Sequence, residues 1–467
     1  MGDADGDCNP RGIQHDNDAM KSRASFLASE NGSVLIAVMW ISLGLVSIAL
    51  LFGHSMLMTY RGADNDLAGH QAQQAIEGAA LYAEALLLEP TTPGVLPDPT
   101  TYYSEAVPVG DATYWMLGRA TDGSTAATGT THTFGLVDEA SKLNLNTATL
   151  AMLEGLPGMT EEVAAGIIDW RDADDDVTPS GAESSTYQQK RPAYYAKNAP
   201  LESIEELALV NGASRQILYG EDTNMNGVLD ANEDDGEKNA PSDNADGKLD
   251  PGILEYVTVF SREPNKQPDG TTARINVSQP TAALPTFLTT TFDATRAAQI
   301  VTRLGTQPVN SLLQFYIRSG MTADEFGKVV GSLTVKNGDY LSGLINVNTA
   351  SAAVLACVPG IGADKAAALI SARANRAVPD INFAWVVDVL GPENAVLAGP
   401  YLTGQSWQVT ADIAAVGHNG RGYRRSKFVI DSSTGAPRII YRRDLASLGW
   451  ALGSDVRQNF AMQKETR

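Results

Sequence analysis

The chain is poor in cysteine, histidine and positive charge, and each shortage narrows what it can do. Two cysteines occur in 467 residues, Cys8 near the start and Cys357 far downstream. If the leader described below is removed, one thiol remains and an internal disulfide is excluded, which leaves the redox compartment open. The five histidines stand at 15, 54, 70, 132 and 418 without a zinc-binding spacing, and neither a nucleophile elbow nor a Walker loop is present. The reading is therefore non-enzymatic. Lysine and arginine number 34 against 55 aspartates and glutamates, a formal charge of −21. Such a surface repels nucleic acid and anionic lipid alike, so no nucleic-acid partner is expected. The length leaves room for two or three domains.

One long apolar run stands out. No formally charged side chain occurs from Gly32 to Met58. At 1.5 Å per residue a helix from Val34 to Met58 is about 37 Å long, enough for a hydrocarbon core of about 30 Å. The run is longer than the core of a secretory signal, and no clear A-x-A site follows it. Lys21 and Arg23 favour keeping the preceding residues in the cytoplasm, with Arg61 a modest counterweight. Beyond it Ala68, Ala72, Ala75, Ile76, Ala79, Ala83, Leu86 and Leu87 recur at three- and four-residue spacing, one apolar helical stripe. The helix is predicted to stop at Glu89, before Pro90 and the Pro-rich stretch 91–101. One helix, half in a membrane and half packed on a soluble head, resembles a pilin or pseudopilin. That resemblance implies a leader over 1–32, cut by a prepilin peptidase between Gly32 and Ser33. A plain signal anchor shares the length but gives no reason for Gly32 at the polar border. Most pilin-like proteins carry glutamate as the fifth mature residue; here it is Ala37.

The middle of the chain repeats. Leu143-Asn144-Leu145-Asn146-Thr147-Ala148 opens a stretch through Pro157-Gly158, Ala164-Ala165 and Arg171. Ile345-Asn346-Val347-Asn348-Thr349-Ala350 opens another through Pro359-Gly360-Ile361-Gly362, Ala366-Ala367 and Arg373, and a fainter copy starts at Arg274-Ile275-Asn276-Val277-Ser278. Asn or Thr to cap, glycine to turn and alanines for close approach describe two short helices joined tightly. The unit resembles the helix-hairpin-helix of DNA-binding proteins, which gives an alternative function, a membrane-anchored DNA-binding receptor. Against it, one copy alone keeps the Gly-Ile-Gly turn, and its basic residues are essentially Lys365 and Arg373. Phosphate binding needs amides and positive charge together. The first copy runs on into Asp169-Trp170-Arg171-Asp172-Ala173-Asp174-Asp175-Asp176, Gly181-Ala182-Glu183, Tyr187 and Asn198-Ala199-Pro200-Leu201. With the anchor and Ala37, this string resembles the minor pseudopilin K family of type II secretion systems, whose helical domain is inserted into a pseudopilin head.

Asp222-Thr223-Asn224-Met225-Asn226-Gly227-Val228-Leu229-Asp230-Ala231-Asn232-Glu233 matches the twelve-residue EF-hand loop. Side-chain oxygens from Asp222, Asn224, Asn226 and Asp230, the Val228 carbonyl and a closing Glu233 carboxylate form the donor set, with Gly227 at the sharp turn. Asp, Asn and Gly also favour plain turns, but six constraints in phase favour calcium. Three anionic donors suggest a weak, extracellular-type affinity. A second loop, Ser242 to Ile253, keeps Asn244, Asp246, Gly247 and Asp250 in phase but lacks the closing carboxylate. The family resemblance implies calcium in the acidic loop Asp172 to Glu183 as well, with Asp174, Asp176 and Glu183 as donors. Calcium is read as structural, since about ten carboxylates between Glu221 and Asp250 would otherwise repel one another.

Strand-like runs at Thr113–Leu117 and Thr131–Val137 precede the helical region, and Trp407–Val416, Tyr423–Asp431 and Arg438–Arg443 follow it. Ser432-Ser433-Thr434-Gly435 is a hairpin signal, and Gly417 to Gly422 reads as another turn, since no helix follows to make a phosphate loop. The expected fold is α+β: a pilin-like long N-terminal helix on a small antiparallel sheet, with a large all-α insertion of helix-hairpin-helix or SAM-like type. The expected segments are 1–32 leader, 33–60 transmembrane half-helix, 61–90 soluble half-helix, 91–139 plus 401–467 head, 140–270 helical with calcium loops, and 271–400 helical. The resemblance implies a minor pseudopilin at the tip of the pseudopilus, helping to initiate or cap it. Its expected partners are other minor pseudopilins, the pseudopilus and the prepilin peptidase. It would sit in the bacterial inner membrane, single-pass, with a periplasmic C-terminal domain.

Overall fold

The structure, a computed structural model, describes residues 30–88, 92–119, 132–376 and 380–465. Most of the expected leader, Glu89 and Thr131 lie outside them. The chain divides into two units, Met1–Asp66 and Leu67–Arg467. In the first, helix α1 (Glu30–Leu88) begins just before Gly32 and Ser33, and its apolar side chains from Val34 to Tyr60 are exposed. Ser42, Ser47 and Thr59 donate their hydroxyls to the carbonyls of Met39, Leu43 and Ser55, so these polar groups are satisfied within the helix, as lipid demands. Among the described residues this is the one helix long and apolar enough to span a membrane. Its length and composition suit a single-pass membrane anchor.

In the second unit the expected early and late strands join in one six-stranded antiparallel sheet. Its strands are β1 (Val107–Val109), β2 (Ala112–Leu117), β3 (Val137–Asp138), β4 (Gln408–Gly417), β5 (Arg421–Asp431) and β6 (Arg438–Asp444). The order is β1-β2-β4-β5-β6, and β3 pairs with β4 beyond the end of β2. The strand expected over Thr131–Val137 is broken: Phe134 makes a single bridge to Leu117, and the ladder resumes only at Val137. Gly135 between them has φ +150, a backbone that a β-branched residue would not adopt.

Alternation divides the sheet's side chains between two cores. Tyr114, Met116, Val409, Ala411, Ile413, Ala415, Phe428 and Ile430 meet Ala72, Ala75, Ile76, Ala79, Ala80, Ala83 and Leu87 of α1. On the opposite face Trp115, Leu117, Ala414 and Val416 meet Ala451, Leu452, Trp450 and Phe460, the last of these from the C-terminal helix Gly453–Glu465. Cover on both faces leaves every residue of β4 buried, its polar Gln408, Thr410 and Asp412 included. Small residues let α1 sit close: a Cβ on Gly417 would lie 2.1 Å from the Ala68 carbonyl oxygen.

The chain leaves the sheet after β3 and returns at β4. Between them one apolar core runs from Leu143 to Leu402. Each repeat opens on a two-residue strand that pairs in parallel with a distant Val-Thr or Leu-Thr: Leu143–Asn144 with Val257–Thr258, Ile275–Asn276 with Leu333–Thr334, and Ile345–Asn346 with Leu402–Thr403. In all three the leading asparagine's Oδ1 accepts from the N–H two residues on, at Asn146, Ser278 and Asn348. Thr149 and Ser351 then cap the short helices Leu150–Glu154 and Ala352–Ala356. Helices Glu161–Arg171 and Gly362–Ala374 pack back on them after turns at Gly158 (φ +70) and Gly360 (φ +84).

Candidate metal centre

The Asp222–Glu233 loop folds around its own side-chain oxygens. Asp222 Oδ1 accepts from the Asn226 N–H at 2.9 Å and Oδ2 from the Gly227 N–H at 2.8 Å. Asn224 Oδ1 accepts from Asn226 N–H at 2.9 Å and Asn226 Oδ1 from Val228 N–H at 2.8 Å. The Asn224 and Asn226 amides donate to Asp230 Oδ2, and Glu233 Oε2 accepts from the Asp230 N–H. Gly227 holds φ +73, as the sharp turn requires. Asp222, Asn224, Asn226, Val228 and Glu233 are buried, and Asp230 is half-buried. Glu233 Oε1 is sealed from solvent and accepts from nothing. A buried carboxylate oxygen without a donor, among oxygens from five other residues, fits a hard divalent cation.

Burial pushes the Glu233 carboxyl up to about 8, with Asp222 and Asp230 raising it further. Burial likewise lifts Asp222 to about 6 despite the nearby Arg119. The folded metal-free chain therefore holds protons that the unfolded chain releases, so its stability falls as pH rises from about 4.5 towards 8. A bound dication would displace those protons and flatten the slope. Melting curves from pH 5 to 8 with chelator and with excess calcium check both limbs.

The second loop lacks a closing carboxylate of its own, yet its bonds repeat those of the first. Asp246 N–H donates to Asn244 Oδ1, Lys248 N–H to Asp246 Oδ1, and the Asn244 amide to Asp250 Oδ2. The Asp250 N–H donates to Glu221 Oε2, as Asp230 does to Glu233, and the Gly247 N–H donates to Asp234 Oδ1, as Gly227 does to Asp222. Glu221 and Asp234 lie outside the twelve-residue window, so spacing could not have found them.

In the Asp172–Glu183 loop the unpartnered buried oxygens are Asp172 Oδ1, both oxygens of Glu183, and Asn198 Oδ1. Burial, reinforced by Asp169 and Asp172, raises Glu183 to about 7. Asp174 and Asp176 are exposed, and Asp174 Oδ1 accepts from the Asp176 N–H. Asn198, which donates to the Asp174 carbonyl and Asp175 Oδ1, is brought in by the fold from outside the loop. Among the described residues no three carboxylate, histidine or cysteine side chains form a metal cluster by themselves. Both loops would depend on amide or carbonyl oxygens beside their carboxylates.

The basic residues singled out in the first and third repeats donate to backbone carbonyls. Arg171 donates to the carbonyls of Leu145 and Ala148, and Arg373 donates to the equivalent Val347 and Ala350 at 3.0 and 2.8 Å. Lys365 donates to the Gly360 carbonyl. A Cβ on Gly360 would lie 2.9 Å from the Asn394 carbonyl oxygen, so the third repeat's turn packs against helix Pro392–Ala398. These arginines clamp the opening turn of the first and third repeats to the second helix of each.

Residues 137–219 match a family model described as type II secretion system (T2SS), protein K, and residues 345–391 match a second model of the same description. Two separate segments of the chain are thus similar to the type II secretion protein K family. The two matches span the first and third repeats, and the Asp222–Glu233 loop lies between them. Protein K is a minor pseudopilin, a structural part of a secretion apparatus. No curated protein matches the chain. Among solved structures it overlaps a chain of the GspK-GspI-GspJ complex from the enterotoxigenic Escherichia coli Type 2 secretion system, at 13% identity and TM-score 0.39 over 83% of this chain and 99% of that one. The assignment rests on the two family matches, not on that overlap.

Proposed function

We propose that the protein is the minor pseudopilin at the tip of the type II secretion pseudopilus, where it helps to initiate or cap assembly. The observation that carries this is the two-sidedness of α1. One face of its soluble half is buried on the sheet, while Leu67, His70, Gln74, Gly78, Leu81, Ala85 and Leu88 face outward and are exposed. A Cβ on Gly78 would meet nothing within 4 Å. From Gly78 on, this stripe is apolar or small, the kind of surface that lets another helix approach closely. Sibling pseudopilins, each presenting a long helix, are the proposed occupants. Ala37 removes the charge through which a further subunit would pair, and the insertion between β3 and β4 makes the head too bulky to stack repeatedly in a thin fibre.

In this reading a prepilin peptidase cuts between Gly32 and Ser33. The anchor stays in the bacterial inner membrane and the second unit is periplasmic. Calcium occupies the Asp222–Glu233 loop, and the Glu183 oxygens with Asp172 and Asn198 hold another ion. The insertion is assigned to the helix-hairpin-helix or SAM-like class, used for packing.

Leu81→Glu tests the assembly surface, since Leu81 is 64% exposed and its replacement leaves the core intact. The variant should keep wild-type circular dichroism and lose co-purification with the other minor pseudopilins by about tenfold, the effect of a charge in an apolar contact. Full co-purification of both Leu81→Glu and a bulky Gly78→Trp variant would contradict the proposal.

A further inference from the structure

We infer that Arg425 and Arg119 are positioning residues for the Asp222–Glu233 loop, pinning its turn to the sheet so that a cation in the loop and the seating of the insertion on the head stabilise each other. The inference rests on the calcium reading above. Arg425, on β5, is wholly buried. Its Nε and Nη2 grip both oxygens of Asp412 on β4 at 2.9 and 2.6 Å. That pair alone would settle the charge. The remaining donors reach a segment 200 residues away in sequence: Nη1 to the Asn224 carbonyl and Nη2 to the Met225 carbonyl at 2.8 Å. Arg119, just past β2, donates from Nη2 to the same Met225 carbonyl at 2.9 Å while its Nε holds Glu255 at 2.7 Å.

The two carbonyls lie between the donor side chains of Asn224 and Asn226, so fixing them fixes how both amides face the loop's centre. Met225 itself is held at φ +56, which most residues avoid. The Asn224 amide also donates to the Trp450 carbonyl at 3.2 Å, and the Trp450 ring lies 4.9 Å from that of Tyr423 on β5. A turn held this firmly loses less freedom on taking up a cation. By linkage, an ion that favours the seated turn must also favour the sheet that seats it. Gly227 has a second reason to be glycine: a Cβ there would lie 2.8 Å from Arg119 Nε.

The test is hydrogen exchange by mass spectrometry and calcium titration calorimetry on the full chain in detergent, with calcium chloride as the probe. In the wild type, calcium should slow exchange over β4 and β5 as well as over 222–233. Arg425→Gln combined with Asp412→Asn leaves no lone buried charge. It should bind calcium at this loop about tenfold more weakly and lose the added sheet protection, with binding at the Glu183 loop unchanged. Arg119→Gln should weaken binding in the same direction, and it decides the matter if the double variant does not fold. Wild-type protection confined to 222–233, or wild-type affinity in the folded variants, would overturn the inference while leaving calcium binding intact. No calcium response anywhere in the wild type would overturn the calcium reading and this inference together.

Discussion

Glu233→Gln is expected to remove most of the stabilisation that calcium would confer through the proposed loop site, while leaving the metal-free protein no weaker. Glu233 is 1% exposed, with one oxygen serving the Asp230 N–H and the other unpartnered. Above pH 7 the metal-free fold must either keep a proton on this group or bury its charge, so a neutral glutamine relieves strain there. With calcium the sign should reverse, because in the proposed site the closing carboxylate would supply the bidentate ligand and one of the loop's three anionic groups. Ten to a hundred times the dissociation constant in free calcium stabilises the wild type by about 1.4–2.7 kcal/mol, a few degrees in melting temperature for a chain of this size. In chelator at pH 8 the variant should melt at or above the wild type. In excess calcium it should show only the smaller rise contributed by the Glu183 loop. A full calcium shift in Glu233→Gln would remove this carboxylate from the site.

Gly417→Val should have the larger cost to folding. Gly417 has φ −77, so its backbone suits any residue and the effect is one of space alone. Its Cβ would sit 2.1 Å from the Ala68 carbonyl oxygen and 2.7 Å from the Ala68 carbonyl carbon, backbone atoms of a continuous helix that cannot move singly. The helix would have to lift from the sheet, opening the contact of Ala72, Ala75 and Ile76 with the β4 and β5 side chains. Overpacking at such a site costs roughly 3 kcal/mol or more. Chemical denaturation should show the loss. A variant within about 1 kcal/mol of wild type would mean that the helix is not seated at this hairpin as described.

Periodicity made α1 legible, because the residues that fall at helical spacing from Ala68 onward are those that touch the sheet. The late strands were legible for the same reason, and the antiparallel sheet expected of early and late strands forms, with Thr113–Leu117 pairing to the strand after Trp407. Other features left no mark in any short window. The C-terminal helix that closes the sheet's second face carries mostly polar residues beside Phe460. The parallel strand pairs of the repeats join Asn144 to Thr258 and Asn346 to Thr403, across more than fifty intervening residues each. The EF-type spacing names oxygens that the fold gathers in one hydrogen-bonded loop. The completing groups elsewhere, Glu221 and Asp234 beside the second loop and Asn198 beside the third, are joined only by the fold. Arg425 looked like one basic residue in a polar strand, and its burial is what shows where it is aimed.

The central claim is that the apolar half of α1 is kept after processing and used as an anchor and assembly surface. Mass spectrometry of the amino terminus of protein extracted from membranes tests it most directly. The account predicts a mature chain beginning at Ser33 with Val34 to Met58 retained. A chain beginning beyond Tyr60, with that segment removed, would contradict it.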